Sequence, residues 1–149
     1  MRIYLGADHR GFELKEQIKQ WLGENDYEVE DVGNHIFDPE DDFVDPAFKV
    51  GEMIEGADAS DRGILICGSG HGVEMVANRF PHVRAVNGFN SEVTRQSREH
   101  EDANILVLPS DWVEYPDACE RVEIFLQTEV DKGEKYERRR SRIANIRIR

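Results

Sequence analysis

The segment Cys67-Gly68-Ser69-Gly70-His71-Gly72 sets a thiol, a hydroxyl and an imidazole among three alternating glycines, at the end of the apolar run Gly63–Cys67. Glycines at such a turn allow unusual φ values and close approach of a ligand, so successive backbone N–H groups can converge on an anion. The spacing is not the dinucleotide fingerprint GxGxxG, whose third glycine would come one residue later. It is not the ATP loop GxxxxGK[ST] either, since no lysine follows. A cysteine phosphatase would carry an arginine six positions past the cysteine, and Val73 stands there. The segment reads as an anion cradle of open type.

Cys67 falls where a strand gives way to a helix N-terminus, whose dipole favours a thiolate. Position alone leaves two readings, a reactive thiol or a small apolar residue that finishes a strand. Ser69 either donates its hydroxyl to an oxyanion or caps the helix that follows. His71 either contacts a ligand or faces solvent. Glu74, in the first turn of that helix, is either a second candidate base or a charge that complements the dipole. Cys119, beside Ala118 and Val122, reads as core.

The elements that must position these groups alternate along the chain. Strands are expected at Arg2–Leu5, Tyr27–Val32, Gly63–Cys67, Val83–Val86 and Ile105–Leu108. Helices are expected from Phe12 to a stop at Gly23, over Pro46–Glu55 with Phe48, Val50, Met53 and Ile54 as its apolar face, and over Val73–Arg79. Further helices are expected over Ser91–His100, over Pro116–Thr128 and in the tail. The continuous apolar run Gly63–Cys67 suits a strand buried on both faces of a parallel sheet. The order predicts an α/β fold, a doubly wound five-stranded parallel sheet with helices on both faces in a Rossmann-like three-layer sandwich, formed by 1–149 as one domain. Ligands in such sheets bind beyond the carboxyl ends of the strands. That end would gather Asp8 and His9, Cys67 to Gly72, and Pro109 to Asp111. Asn34–Asp45, acidic and without periodicity, reads as a surface loop.

The whole chain has 19 Lys and Arg against 31 Asp and Glu, a net charge of −12. That argues against general binding to nucleic acid or to an anionic membrane. Two cysteines form neither a disulfide framework nor a zinc motif, and the N-terminus lacks a signal-peptide layout, so a reducing cytoplasm is expected. Residues 132–149 invert the charge, with eight basic and two acidic residues. Three readings stand: a solvated helix face, a nucleic-acid arm, or a cluster that grips a small anion or a neighbouring subunit. Lys135, Arg139 and Arg142 share one helical face, and Ile143, Ile146 and Ile148 offer an apolar side for docking.

GADHRGFELKE, DRGILICGSGHG and SREHEDANIL, in that order and spacing, resemble the type B ribose-5-phosphate isomerase family, which includes the galactose-6-phosphate isomerase subunits. The likeness runs from about Met1 to Ile143. It implies metal-independent interconversion of aldose and ketose phosphates, with no cofactor and no metal, in a homodimer or tetramer whose sites lie between subunits. It implies that Cys67 abstracts the proton beside the carbonyl, with Ser69 and the N–H groups of Gly70, His71 and Gly72 holding the enediolate oxygens and Gly68 also in the substrate-binding turn. His100 would open the sugar ring, Asp8 and His9 would contact the sugar or its phosphate, and Lys135 and Arg139 would bind phosphate. The chemistry asks for the same parts. Enediolate charge needs preorganised donors, and its formation needs a base near neutrality, which a helix-terminal thiolate would supply.

Four positions depart from the family pattern. Asp111 stands where an arginine usually meets the phosphate, Lys135 replaces an arginine, Glu101 an asparagine and Phe43 a tyrosine. The groups for the reacting carbon persist, while those for the far end of the substrate have changed. Arg10 and Arg138 are candidates to replace the lost charge. The alternatives to an active isomerase are a subunit that depends on a partner chain for catalysis, and a non-catalytic binding module for a phosphorylated metabolite.

Overall fold

The structure, a computed structural model, describes residues 1–146, so Ile148 and the end of the basic tail lie outside the described residues. Five parallel strands alternate with helices: β1 (Arg2–Ala7), α1 (Phe12–Glu24), β2 (Glu28–Asp31), α2 (Val44–Glu55), β3 (Arg62–Cys67), α3 (His71–Ala77), β4 (Ala85–Asn87), α4 (Ser91–Glu101), β5 (Ile105–Pro109), α5 (Tyr115–Gln127) and α6 (Glu134–Ala144). The strand order is β2-β1-β3-β5-β4, all neighbours parallel. The doubly wound fold expected from the sequence is the one observed.

Period-2 alternation divides the core into two layers. Ile3, Leu5, Ile64, Ile66, Leu106 and Leu108 face α1 and α5, where Ile18, Leu22, Val122 and Phe125 cover them. Tyr4, Leu65, Cys67, Ile105 and Val107 face α2 and α3, against Val50, Ile54, Val73 and Ala77. Each of these fully buried Leu and Ile side chains contributes on the order of 2 kcal/mol through removal from water. Because α1 and α3 lie on opposite faces, the adjacent carboxyl ends of β1 and β3 open a crevice between them.

Several local expectations shift. α1 runs through Gly23 to Glu24, and the left-handed residue that ends the turn is Asp26, at φ 62°, a conformation that Asp tolerates. The fourth strand begins at Ala85 rather than Val83, whose side chain packs into the core from the preceding turn. On α2, Phe48 points outward against Phe80, and Pro46, Ala47 and Gly51 join Val50 and Ile54 on the buried face. After β3 the chain passes the place of β5 to lay β4 at the sheet edge, then returns. That detour pairs Asn87 at the end of β4 with Val107 of β5, directly behind the glycine turn.

Candidate active site

Cys67 ends β3 with its thiol on the α2/α3 side, 8 % exposed, and Asp8 follows β1, 3 % exposed. The Cys67 Sγ donates to Asp8 Oδ2 at 3.1 Å, and the other Asp8 oxygen accepts from Gly11 N at 3.0 Å. Burial is the main cause that pushes the Cys67 thiol up to about 11, reinforced by the hydrogen bond and negative charge of Asp8. The N–H groups of Gly70 and Gly68 favour the thiolate but are outweighed. This corrects the expectation of a helix-stabilised thiolate: at neutral pH Cys67 is a thiol held against a carboxylate.

Gly70 takes φ +81°, and a Cβ there would meet Val107 Cγ1 at 2.7 Å and Asn87 Nδ2 at 2.9 Å, so only glycine fits. Asn87 Nδ2 donates to the Ser69 carbonyl at 3.2 Å and fixes the turn from below. The Ser69 hydroxyl accepts from the N–H of His71 at 3.4 Å, while the His71 ring is exposed. Phe43 lies over Gly72 in the space a side chain there would need. Burial raises the Glu74 carboxyl above its usual range, against the Asn87 N–H and the nearby His71.

His9 sits at the same mouth. Its backbone N–H and ring Nδ1 both reach Asp41 Oδ1, at 2.9 and 2.7 Å. A carboxylate only accepts, so Nδ1 carries the proton and Nε2 is left for a ligand. The acidic segment expected as a surface loop is therefore tied down over the site. Arg10 pairs with Asp111, and a Cβ at Gly68 would come within 2.5 Å of the Arg10 guanidinium carbon. Ser110 Oγ donates to the Arg10 carbonyl at 2.9 Å, which closes the turn after β5 onto the turn after β1.

The remaining expected site residues lie at the opposite end. His100 is in the last turn of α4, and the turn that follows pairs Asn104 O with Gly63 N at the start of β3, at 2.8 Å. From Gly63 to Cys67 is four residues of extended chain, about 13 Å at ~3.3 Å each. His100 stacks on Tyr136 with ring centroids 4.5 Å apart, and Lys135 Nζ lies 4.6 Å over the same ring. Arg139 is exposed one helical turn beyond Lys135. Arg140 donates to the carbonyls of His100 and Asp131, both at 2.9 Å, which locks α6 onto α4.

Asp8, His9, Cys67, Gly68, Ser69, Gly70, His71 and Gly72 are thus gathered at one end. His100, Lys135 and Arg139 are gathered at the other, and one chain does not bring the two groups together. Sequence reasoning passed over Asp41, Asn87, Tyr136 and Arg140. Arg140 lay inside a basic run with no feature to single it out. Asp41 is one of five acidic residues between 38 and 45. A recess of about 610 Å³ lies at the His100 end, lined by Arg79, Phe80, Val86, Glu101, Ile143 and Ile146.

The profile of the Ribose/Galactose Isomerase family matches residues 3–146. A probable ribose-5-phosphate isomerase B from Mycoplasma genitalium is 35% identical over 141 residues, covering 95% of this chain and 92% of that protein. Ribose-5-phosphate isomerase B from Mycobacterium tuberculosis is 33% identical over 140 residues, covering 93% of this chain and 85% of that protein. The crystal structure of a ribose 5-phosphate isomerase from Thermotoga maritima has a TM-score of 0.89 and 38% identity, covering 97% of this chain and 98% of that one. The Mycoplasma genitalium ribose-5-phosphate isomerase B with bound ribulose-5-phosphate has a TM-score of 0.91 and 34% identity, covering 96% of this chain and 93% of that one. Sequence and fold agree over nearly the whole chain, and the chain belongs to the ribose/galactose isomerase family of sugar-phosphate isomerases.

Proposed function

We propose that this chain interconverts ribose 5-phosphate and ribulose 5-phosphate through an enediolate, with Cys67 as the base and His100 of a second copy as the ring-opening group. The observation that carries this reading is the Cys67 thiol held 3.1 Å from Asp8 beside the glycine turn. The thiol proton passes to Asp8 as the open-chain aldose settles. The sulfur then takes the proton from C2 and returns it to C1, while the O2 hydroxyl proton moves to O1. Enediolate charge is met by the Ser69 hydroxyl and by backbone N–H groups of Gly70 to Gly72, and preorganised donors of this kind supply much of the rate. His9 and Arg10 meet the rest of the sugar phosphate from the same chain. The relative that holds ribulose-5-phosphate supports the choice of pentose.

His100, Lys135 and Arg139 reach that site from a neighbouring copy, with α6 and the recess beside it forming part of the contact. Their separation from Cys67 within one chain supports a homodimer or a larger even assembly. No helix among the described residues is long and apolar enough to cross a membrane. Two unpaired thiols fit a cytoplasmic enzyme. A second reading, in which another aldose phosphate is preferred, is favoured by Asp111, whose carboxylate engages the Arg10 guanidinium beside the glycine turn.

The test is an isomerase assay with ribose 5-phosphate, ribulose 5-phosphate, allose 6-phosphate and galactose 6-phosphate in parallel, with Cys67→Ala as control. Pentose turnover that vanishes in the variant is expected. Turnover of only a hexose phosphate overturns the substrate, and turnover by Cys67→Ala overturns the base.

A further inference from the structure

Lys15 is a fully buried lysine, 0 % exposed, and the reaction described above does not use it. Its ammonium spends three donors on Asp31 Oδ2 at 2.7 Å, Glu16 Oε1 at 3.0 Å and the Asn34 carbonyl at 2.6 Å. Lys19 reaches the same two carboxylates, at 2.9 and 2.6 Å. The hydrogen bond that belongs to Lys15 alone is therefore the one to the Asn34 carbonyl, and its ammonium also lies 5.0 Å over the Phe12 ring. A buried charge is costly to keep for packing, since an apolar side chain of similar volume does as well or better.

From Asn34 the connection continues toward the site. The Asn34 amide donates to Asp41 Oδ2 at 3.1 Å, and Asp41 Oδ1 accepts both the backbone N–H and the ring Nδ1 of His9. The Asp41 side chain is 8 % exposed, so these bonds are well shielded from competing water. The segment from Asn34 to Asp41 is thereby closed at both ends, and Phe37 packs edge-on against Phe12 at 5.9 Å.

We propose that Lys15 is a positioning residue that fixes the tautomer and direction of the His9 ring through Asn34 and Asp41. The inference rests on reading His9 as a contact for the sugar phosphate. Lys15 anchors the root of the loop, Asn34 sets the distance to Asp41, and Asp41 keeps the proton on Nδ1. The Nε2 atom then points to substrate in one arrangement only.

The test uses full-length Lys15→Met and Asn34→Ala, read by nitrogen NMR of the His9 ring and by steady-state kinetics with ribose 5-phosphate. Asn34→Ala keeps the buried ion pairs and the backbone carbonyl that Lys15 holds, so it tests the Asn34–Asp41 link on which the proposal depends even if Lys15→Met fails to fold. In both variants the Nδ1–H tautomer is expected to lose population. KM should rise about fivefold, as for one lost hydrogen bond, with kcat nearly unchanged. Wild-type His9 signals and KM in Asn34→Ala overturn the proposal and leave Lys15 a structural ion pair. An unchanged KM in His9→Ala defeats the reading of His9 as a substrate contact, while the tautomer signals still decide the link from Lys15.

Discussion

The Cys67 thiol donates to the Asp8 carboxylate at 3.1 Å across the crevice between β3 and β1. Because burial and Asp8 together hold the thiol at about 11, removing the acceptor's charge should lower that value. Asp8→Asn is expected to move the Cys67 midpoint toward the ordinary thiol range near 8.5. It should cut turnover by roughly 10²–10⁴-fold, since the proton loses its destination. Thiolate ultraviolet absorbance against pH, in a Cys119→Ser background, gives the midpoint. An unmoved midpoint sinks the assignment of Asp8 as a group that raises the thiol.

The same pair carries a pH signature for folding. A thiol whose folded value lies above its unfolded value stabilises the protein fully below the unfolded value, and the contribution fades as pH rises through the folded one. For Cys67 that window runs from about 8.5 to about 11. Thermal melts should show wild type losing stability relative to Cys67→Ala across that range. Parallel curves would count against it.

Asp31 works in the opposite direction. Burial pushes its carboxyl up, but hydrogen bonds and charge from Lys15 and Lys19 outweigh burial and hold it below the usual range. Its stabilisation is present above the unfolded value of about 3.9 and is lost as pH falls through the lower folded value. Asp31→Asn should melt below wild type at neutral pH, with the gap closing in acid below about pH 4. Equal melting temperatures at neutral pH would contradict this.

Arg10 and Arg138 separate cleanly in space. Arg10 lies against Gly68 at the thiol end, paired with Asp111, whereas Arg138 is exposed on α6 at the other end. Arg10→Ala is expected to raise KM for the sugar phosphate about tenfold, the scale of one charge-assisted hydrogen bond. Asp111→Asn frees the guanidinium and should lower KM instead. Matching KM values in wild type and Arg10→Ala refute the role.

The split site makes a mixing experiment decisive. Cys67→Ala and His100→Ala should each be inactive alone. Mixed in equal amounts and allowed to exchange subunits, they should recover about a quarter of wild-type activity, because half the two-fold pairs carry one intact site of two. Recovery of none, with exchange shown by mass, overturns the site shared between copies.

Much of this architecture was legible in the sequence, and the exceptions have physical reasons. GILIC announced a central strand because both its faces are buried, and the Phe12 helix announced itself through the spacing of Leu14, Ile18 and Leu22. The detour that sets β5 between β3 and β4 left no local trace, since strand order is decided by long-range pairing. The glycine turn was readable as a cradle. The protonation of Cys67 was not, because Asp8 stands 59 positions away and a helix of seven residues cannot outweigh it. The Asn34–Asp41 loop looked unstructured because its order comes from side-chain bonds to Lys15 and His9, which no periodicity reports.

The placement of Cys67 and His100 at opposite ends of one sheet sets how turnover depends on dilution. If the separated halves meet only across a contact between copies, a lone chain is silent, and below the dissociation constant activity per molecule falls in proportion to concentration, total activity with its square, rather than activity per molecule staying constant. Closed two-fold pairs hold two complete sites or none, so active centres are gained and lost in pairs.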